Sequence, residues 1–469
     1  MPLLSVRFAL LTAGAAILTR LAPRKYRYGV VLCASLLFYA CCGAAAFCGM
    51  LADVLLCFFA ARCVEFFQNA GKKPAARAVL LAVSAAQCGL LCVFRGQWLG
   101  LSFVSLILLS YLIDVYRKKA QAQKNPWLFF ACAMFFPQMT QGPISHCGEV
   151  LSQLEAGAPA RWEDFCAGLE RILLGLLKKM VLAERLSQLV SAAYGAPETF
   201  AGGALWAASL AYAVEIYADF SGCMDIVLGA ARLFGIRLPE NFRRPYLAAS
   251  MEEYWKRWHI TMGAWFREYV FYPLAVSKKM MKAGQKLAKW QPGAAAKRAA
   301  VLFFPLMTTW LLTGLWHGSA WHYALWGLAN GGAILLETCR KKRAAPQGVK
   351  RAGCIAATFF VTLLIRVLFR ASSVSAALTV YGRMLSFAAE GSGVLSCGWS
   401  AGDGWVCAVG GALLLGADVW KEKVFRKGKE KPLPGWARWA LCLAGVCALL
   451  IFGCYGPGYD PSEFFYSKF

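Results

Sequence analysis

The sequence predicts an all-α, polytopic integral membrane protein, and two observations carry this prediction. Hydrophobic residues make up 59% of the 469 positions and charged residues only 16%, against about 25% charged in soluble domains. Apolar stretches of about 20 residues, the length that crosses a bilayer as a helix, recur along the chain. Because a span must satisfy its own backbone hydrogen bonds and these runs lack strand-like alternation, they predict helices.

The apolar runs predict roughly 11 to 13 crossings, with re-entrant and interfacial helices among them. The count is a range because several runs are short or interrupted. The polar connectors are short and no fixed-period repeat divides the chain, so we expect a single transmembrane domain over residues 1–469. The predicted spans are residues 3–20, 28–49, 78–94, 98–116, 127–142, 166–190, 202–218, 219–235, 299–319, 321–338, 352–370, 404–420 and 436–454.

The formal net charge of +25 comes from basic clusters between the apolar runs. Residues 278–298 carry seven Lys/Arg and no acid, and further clusters lie at 117–119, 340–343 and 421–431. Such clusters mark cytoplasmic segments, so 278–298 is expected to be a solvated cytoplasmic loop. No nucleic-acid-binding module accompanies the charge, so the expected partner is the lipid bilayer and not a nucleic acid.

The basic clusters also orient the C-terminal half of the chain. If 278–298 and 340–343 are both cytoplasmic, two crossings must separate them, and the spans 299–319 and 321–338 fit that interval. His317 then lies near the outer end of a helical hairpin. The orientation of the N-terminus stays open.

The tripeptide Trp316-His317-Gly318 lies inside the apolar run 301–336. An ionisable side chain at membrane depth is costly and is a functional-site hypothesis by default. Gly314 and Gly318 flank His317 on one helix, so a ligand or another backbone can approach closely. The alternative is that His317 only packs. The chain contains four histidines, which are His146, His259, His317 and His322.

Residues 251–270 predict an amphipathic helix whose one face is aromatic and whose opposite face is charged. His259 falls on the apolar face, where desolvation would lower its pKa and keep the ring neutral. A neutral ring suits a base or a hydrogen-bond acceptor. The alternative is again a packed histidine, and we interpret His146 and His322 as structural.

Polar residues also lie at membrane depth between 214 and 228. Glu215, Asp219 and Asp225 are acidic, and Asp219 and Ser221 surround an expected helix break. They form either a polar wall of a substrate path or pairs with Arg232 or lysines that fix the bundle. No two histidines have metal-ligand spacing, so no metal site is expected.

These residues belong to ordered motifs that resemble the membrane-bound O-acyltransferase family. The resemblance is to its bacterial branch of alginate-O-acetylation and teichoic-acid D-alanylation membrane proteins, and it is dense over 101–330. The motifs, in order, are Gly100-Leu101-Ser102-Phe103, Ser110-Tyr111-Leu112-Ile113-Asp114-Val115-Tyr116-Arg117, Phe135-Phe136-Pro137-Gln138, Gln141-Gly142-Pro143-Ile144, Asp219-Phe220-Ser221-Gly222 with Asp225, Leu238-Pro239-Glu240-Asn241-Phe242, Pro245-Tyr246, Trp255-Lys256-Arg257-Trp258-His259-Ile260-Thr261, Trp265-Phe266-Arg267-Glu268-Tyr269, Gly314-Leu315-Trp316-His317-Gly318 and Trp326-Gly327.

The resemblance implies that His317 is the catalytic histidine, facing a central tunnel, and that His259 is a second functional histidine. It implies a cytoplasmic acyl donor, either an acyl-CoA such as acetyl-CoA or an acylated carrier protein, with no bound cofactor. The acceptor hydroxyl lies outside, on a polysaccharide, a teichoic acid or a partner protein's serine. The candidate tunnel residues are Trp316, Asn241, Trp258, Asp219, Ser221 and Asp225.

The sequence leaves several functions open. We expect transfer of an acetyl group in a bacterial cell membrane, together with an SGNH-type acetyltransferase or esterase partner. The alternative is D-alanyl transfer from a carrier protein to teichoic acid. Departures such as Ser145-His146-Cys147 and Asn330 leave the acceptor polymer open. A transporter or flippase of lipid-linked sugars is the alternative from a different class, supported only by the polar residues at membrane depth.

Overall fold

A computed structural model of the chain describes residues 3–339, 347–386, 391–394, 399–426 and 433–455. Within these ranges the regular structure is helical, and the only β-type pairs are two isolated bridges, Phe200 with Ser392 and Phe242 with Trp258. The all-α prediction is confirmed. Of the basic clusters, residues 340–343 and 427–431 lie outside the described ranges.

The described residues divide into two compact units. The first contains the described part of Met1–Leu176 together with Gly222–Glu240, and the second contains Leu177–Ser221 with the described part of Asn241–Ser462. The helix Gly202–Leu233 contributes residues to both. Our expectation of a single domain stays a prediction.

The first unit is built from helices that meet through phenylalanines and glycines. Phe8, Phe38 and Phe136 form a buried cluster with ring centroids 5.7 to 6.1 Å apart. The helices are α1 Val6–Leu21, α2 Arg27–Ala40, α3 Ala44–Asn69, α4 Lys73–Phe94, α5 Leu101–Tyr116, α6 Pro126–Ala133, α7 Phe136–Met139, α8 Cys147–Ala156 and α9 Trp162–Leu176, with the 3₁₀ turn Arg24–Tyr26.

The second unit contains both candidate catalytic histidines. Two π-helical turns, Leu177–Ala183 and Arg267–Phe271, interrupt its α-helices. Those helices are α10 Glu184–Gly195, α11 Gly202–Leu233 in its first part, α12 Met251–Trp255, α13 Ile260–Phe266, α14 Tyr272–Ala275, α15 Lys278–Lys289, α16 Gly293–His317, α17 Trp321–Cys339, α18 Gly348–Arg370, α19 Val374–Leu385, α20 Ala401–Arg426 and α21 Gly435–Phe452, with 3₁₀ turns at Pro197–Thr199 and Pro245–Leu247.

Six described helices are long and apolar enough to cross a bilayer, by length and composition. Most of α3 lies between the predicted spans 28–49 and 78–94, so the sequence prediction missed a span. Asp53 and other charged residues interrupt its apolar run, but Asp53 is buried and accepts a hydrogen bond from Gln87 of α4. The six helices are α3, α4, α16, α18, Ala401–Val424 of α20, and α21.

The expected helix break at Asp219 and Ser221 is wrong, because α11 runs without interruption from Gly202 to Leu233. Both side chains find partners without a backbone break. The Lys179 ammonium donates to Asp219 at 2.7 Å, and the Lys178 ammonium donates to Ser221 at 3.1 Å.

The expected loop 278–298 is also helical, forming α15 and the first turns of α16. Its lysines share one exposed face, while the opposite face packs on α16. Gly284 makes this packing possible, since a β-carbon there would lie 2.7 Å from the Val301 carbonyl oxygen. The lysines, spaced three and four residues apart, therefore form the polar face of an amphipathic helix and not a charged loop.

Candidate active site

His317 is the last residue of α16, and the helix ends where Gly318 becomes extended. The Gly318 amide donates to the Gly314 carbonyl at 3.2 Å, while its own φ and ψ are 178° and 153°. The His317 side chain is only 1% exposed. The imidazole is therefore held at a helix end and shielded from bulk solvent.

Three aromatic rings from three helices surround His317. The centroid distances are 4.8 Å to Trp316, 5.0 Å to Trp326 and 5.1 Å to Phe369, all edge-to-face. Aromatic pairs favour this geometry, which directs a positive ring edge at a neighbouring π face. Packing of α16, α17 and α18 thus fixes the orientation of the imidazole.

Glycines bring α16 and α17 into backbone contact just before His317. A β-carbon at Gly314 would overlap the Tyr323 carbonyl, and one at Gly327 would overlap the Trp310 carbonyl. Small residues allow such close approach of helices in membrane proteins. The contact sets the position of His317 against Trp326 of the facing helix.

His259 lies at a break between two short helices, so the predicted continuous helix over 251–270 is wrong. The chain forms α12 to Trp255, then turns at His259 with φ 45° and ψ 53°, and restarts as α13. A left-handed conformation is uncommon for a residue with a β-carbon. The side chain is fully buried, as the apolar-face position of the sequence pattern predicted.

Asn241 holds this break together. Its backbone carbonyl accepts from the Ile260 amide at 2.9 Å, and its side-chain oxygen accepts from the Thr261 amide at 3.1 Å and hydroxyl at 2.9 Å. The same oxygen lies 3.2 Å from His259 Nδ1. Because that oxygen is an acceptor, Nδ1 carries the proton and Nε2 carries the lone pair.

The environment of His259 keeps its ring neutral. Burial lowers the pKa of His259 to about 3, because a charged imidazolium loses its hydration there. The Phe220 ring meets it edge-on with centroids 4.8 Å apart. Such a ring is a hydrogen-bond acceptor at neutral pH and a weak base.

Both histidines contact one indole. Trp316 lies 4.8 Å from His317 and 6.2 Å from His259 between ring centroids, and it is 7% exposed. Trp258 adjoins His259 in the chain and pairs with Phe242 beside Asn241. The structure therefore brings together five of the predicted site residues, which are His317, His259, Trp316, Trp258 and Asn241.

Asp219 lies in a buried ionic cluster. The Lys179 ammonium, on the first π-helical turn, contacts Asp219 at 2.7 Å and Glu184 at 2.9 Å, and all three are nearly inaccessible. This is the lysine pairing that we weighed against a polar substrate wall. Ser221 likewise binds Lys178. A tunnel role for Asp219 or Ser221 stays a prediction.

Asp225 belongs to the first unit and is paired there. Arg171 Nε donates to Asp225 at 2.9 Å, and its other nitrogens bind Glu240 at 2.6 and 2.5 Å. The partner is therefore Arg171 rather than the expected Arg232. A tunnel role for Asp225 also stays a prediction.

A cavity of about 450 Å³ follows one face of α16 in the second unit. Its lining includes Arg298 near the helix start and Thr313 near the helix end, which are about 22 Å apart along the axis at 1.5 Å per residue. Thr313 is one turn before His317, and residues four apart share a helix face. The cavity thus leads along α16 towards the catalytic candidate.

The lining of this cavity carries both signs of charge. The basic side chains Lys256, Arg267 and Arg298 line it together with the acidic Glu252 and Glu337, and Trp310 and Thr313 line it within two helical turns of His317. Lys256 contacts Glu252 at 2.6 Å, a surface ion pair. Sequence reasoning missed this cavity, although Arg298, Leu302, Leu306, Thr309 and Thr313 recur at helical spacing on one face.

The other two histidines have local partners. His322 Nδ1 lies 3.0 Å from the Leu368 carbonyl, and His146 Nδ1 lies 3.7 Å from Asp114 in the first unit. Within the described ranges, no group of three or more His, Cys, Asp or Glu side chains is placed to hold a metal ion.

The chain matches the membrane-bound O-acyltransferase family over residues 102–368, more than half of its length. It belongs to that family, and with its apolar helices it is a multi-pass bacterial membrane protein.

Three relatives illustrate the breadth of the match. A probable alginate O-acetylase of Azotobacter vinelandii is 30% identical over 62% of this chain and 54% of the relative. A peptidoglycan O-acetyltransferase of Helicobacter pylori is 28% identical over 50% and 46%. A teichoic acid D-alanyltransferase of Streptococcus thermophilus is 26% identical over 55% and 61%. The chain spans about half the length of the first of these curated relatives.

Proposed function

We propose that this chain transfers an acetyl group from a cytoplasmic thioester to a hydroxyl of an extracellular polysaccharide, with His317 as the general base. The cavity along α16 carries this proposal, because three basic side chains line it and it reaches Thr313, one helical turn before His317. Its volume lies within the range of about 300–1,000 Å³ that is usual for small-molecule sites.

The cavity suits a thioester donor such as acetyl-CoA. The donor carries phosphate groups at one end and its reactive acyl group at the end of a flexible arm. Lys256, Arg267 and Arg298 provide cations for the phosphates, while Trp310 and Met262 line an apolar path for the arm. An acylated carrier protein would present a similar flexible arm, joined through a single phosphodiester.

The proposed chemistry uses His317 as a proton carrier. Its neutral ring takes the proton of the acceptor hydroxyl as the oxygen attacks the thioester carbonyl. The tetrahedral intermediate then collapses with cleavage of the carbon–sulfur bond, and the departing thiolate takes up the proton from the imidazolium. The products are the ester and the free thiol, with no net gain or loss of protons.

His259 has a different role in this proposal. A base with a pKa of about 3 takes up a proton poorly near neutrality, since general bases work best with a pKa near the working pH. Its Nε2 lone pair instead accepts a hydrogen bond and orients a substrate hydroxyl. Asn241 keeps that nitrogen unprotonated by accepting from Nδ1.

The acceptor is proposed from the relatives' names. Two relatives are named for O-acetylation of alginate and peptidoglycan, and one for D-alanylation of teichoic acid. This supports a hydroxyl of a cell-envelope polymer, reached directly or through an SGNH-type partner.

The test is acyl transfer from radiolabelled acetyl-CoA in membranes that contain the full chain. His317→Ala is expected to lower transfer to background, because no other group takes the hydroxyl proton. The matched control is His146→Gln, which removes a half-exposed histidine and should leave transfer intact. Unchanged transfer by a well-inserted His317→Ala protein would refute the catalytic assignment.

The same assay separates the alternatives. A loaded D-alanyl carrier protein that replaces acetyl-CoA as donor would favour the D-alanyl function, to which the teichoic acid relative points. A lipid-linked sugar flippase would instead move its cargo without covalent change. Mass spectrometry of the polymer with and without the protein distinguishes that outcome from either transferase.

A further inference from the structure

An arginine that no sequence motif singled out is buried in a candidate membrane span. Arg366 lies on α18, four residues before the helix ends at Arg370, and is 6% exposed. A charged side chain at membrane depth is costly and usually faces a functional cavity or a partner. Its charge therefore needs a balancing group.

Aromatic rings enclose the Arg366 guanidinium. Its central carbon lies 4.9 Å from the Tyr246 ring, 5.4 Å from Trp258 and 5.6 Å from Tyr254. Nη2 donates to the Tyr254 hydroxyl at 2.9 Å. Nη1 is buried and has no hydrogen-bond partner among the described residues.

Two other arginines of the second unit, the buried Arg257 and the partly buried Arg244, have an acidic partner, which Arg366 lacks in the part of the chain that the structure describes. Arg257 and Arg244 both pair with Glu422 at 3.0 Å. Burial raises the pKa of Tyr246 and of Tyr254, so neither phenol supplies negative charge. The rings contribute about 0.5–2 kcal/mol each, against several kcal/mol for burying an ion.

Arg366 is also linked to each candidate catalytic histidine through one intervening residue. Trp258, which it contacts, directly precedes His259. Phe369 lies three residues after Arg366 on the same helix face, and its ring contacts His317. Arg366 does not line the donor cavity, whose cations are Lys256, Arg267 and Arg298.

We propose that Arg366 binds, through Nη1, an anionic oxygen of the acceptor, either a carboxylate or a phosphate, beside the hydroxyl that receives the acyl group. This inference rests on the proposed function for the identity of the acceptor. It assigns the acceptor to the class of acidic sugars or sugar phosphates. It also gives the excess buried cation the counter-charge that the described protein groups do not supply.

The test measures the thermal unfolding midpoint of the full chain in detergent with three single sugars at matched ionic strength. The probes are glucuronate, glucose 6-phosphate and neutral glucose. A ligand that binds the native state raises the midpoint, and we expect a rise of about 2–4 °C with one or both anions and none with glucose. The anion that acts identifies carboxylate or phosphate as the recognised group.

Arg366→Gln is expected to lose the rise, while Arg366→Lys, which keeps the charge, retains part of it. Arg370→Gln is the matched control on the same helix, because Arg370 binds Ser191 and should not affect the response. An equal rise in Arg366→Gln, or no rise of the wild-type midpoint with either anion, would overturn the proposal. His317→Ala should show the full rise, so the result is independent of acyl transfer.

Discussion

A hydrogen bond from Nδ1 to Asn241 and complete burial give His259 a fixed tautomer and a neutral ring. His317 instead packs edge-to-face against three aromatic rings. Trp316 touches both imidazoles. A hydrogen bond thus orients the His259 ring, and aromatic packing orients the His317 ring.

The burial of His259 has a consequence for stability. Its pKa is about 3 in the native state and about 6.5 in an unfolded chain. Between these values the unfolded chain binds a proton that the native state does not. The free energy of unfolding therefore falls as pH is lowered below about 6.5, by up to about 1.4 kcal/mol per pH unit.

We expect the thermal midpoint of the wild-type protein to fall more steeply than that of His259→Gln between about pH 7.5 and about pH 5. All other titrating groups are common to both proteins and cancel in the difference. Parallel curves would contradict the neutral, desolvated state of His259.

Among the helices, α16 is the element on which the site is built. It ends at His317, contacts α17 through backbone at Gly314, and lines the proposed donor cavity along one face. Different residues of the helix carry these three properties, so each can be tested separately.

The backbone contact is tested by adding one methyl group. Gly327→Ala places a β-carbon onto the Trp310 carbonyl and must separate the helices, whereas Gly332→Ala on the same helix meets open space. We expect Gly327→Ala to lower both the thermal midpoint and acyl transfer by displacing His317. Gly332→Ala should be neutral or slightly stabilising, since alanine favours helix by about 1 kcal/mol. Equal behaviour of the two variants would argue against the contact.

The cavity is tested by filling it. Leu306→Trp adds an indole on the cavity face of α16, whereas Leu312→Trp adds the same group at a site that is 42% exposed. We expect kcat/KM for acetyl-CoA to fall at least about tenfold in Leu306→Trp, the equivalent of about 1.4 kcal/mol. Leu312→Trp should match the wild type, and a donor affinity untouched by Leu306→Trp would remove the cavity from the reaction.

Sequence patterns predicted helices, the buried face of His259 and the special position of His317, because these depend on local spacing and hydropathy. They missed the break at His259, since its cause is Asn241, 18 residues upstream. They also placed a break at Asp219, where Lys179 satisfies the carboxylate from another helix. Arg366 escaped notice because its aromatic neighbours come from a different part of the chain.

For the whole molecule, the excess of 50 basic over 25 acidic residues is not spread evenly. The lysines of α15 form an exposed face, while Lys256 and Arg298 line the cavity, Arg298 at the start of α16 and far from His317 along the helix. Exposed charges attract a phosphate-bearing donor over about a Debye length, near 8–10 Å at ordinary salt. Charges at the cavity should matter more than charges elsewhere.

We expect the double variant Lys256→Gln with Arg298→Gln to raise KM for acetyl-CoA several-fold while kcat changes little. The salt dependence of KM should weaken, since fewer phosphate contacts remain to be screened. The control is Lys282→Gln with Lys289→Gln, which removes the same charge from the exposed face of α15. An equal effect in both pairs would indicate only a general attraction by net charge.

The backbone contact between α16 and α17 also makes one side of the candidate site stiffer than the other. Glycines of these two long helices lie against backbone carbonyls of the facing helix, and this contact restricts sliding and tilting. His317 therefore lies at the end of a rigid element. The facing segment is built from short pieces: α12, the turn at His259, α13, a π-helical turn and α14. A segment jointed by that many helix breaks bends more easily than a continuous helix. We therefore expect movement of the site to involve the jointed segment that carries His259 more than the helix end that carries His317.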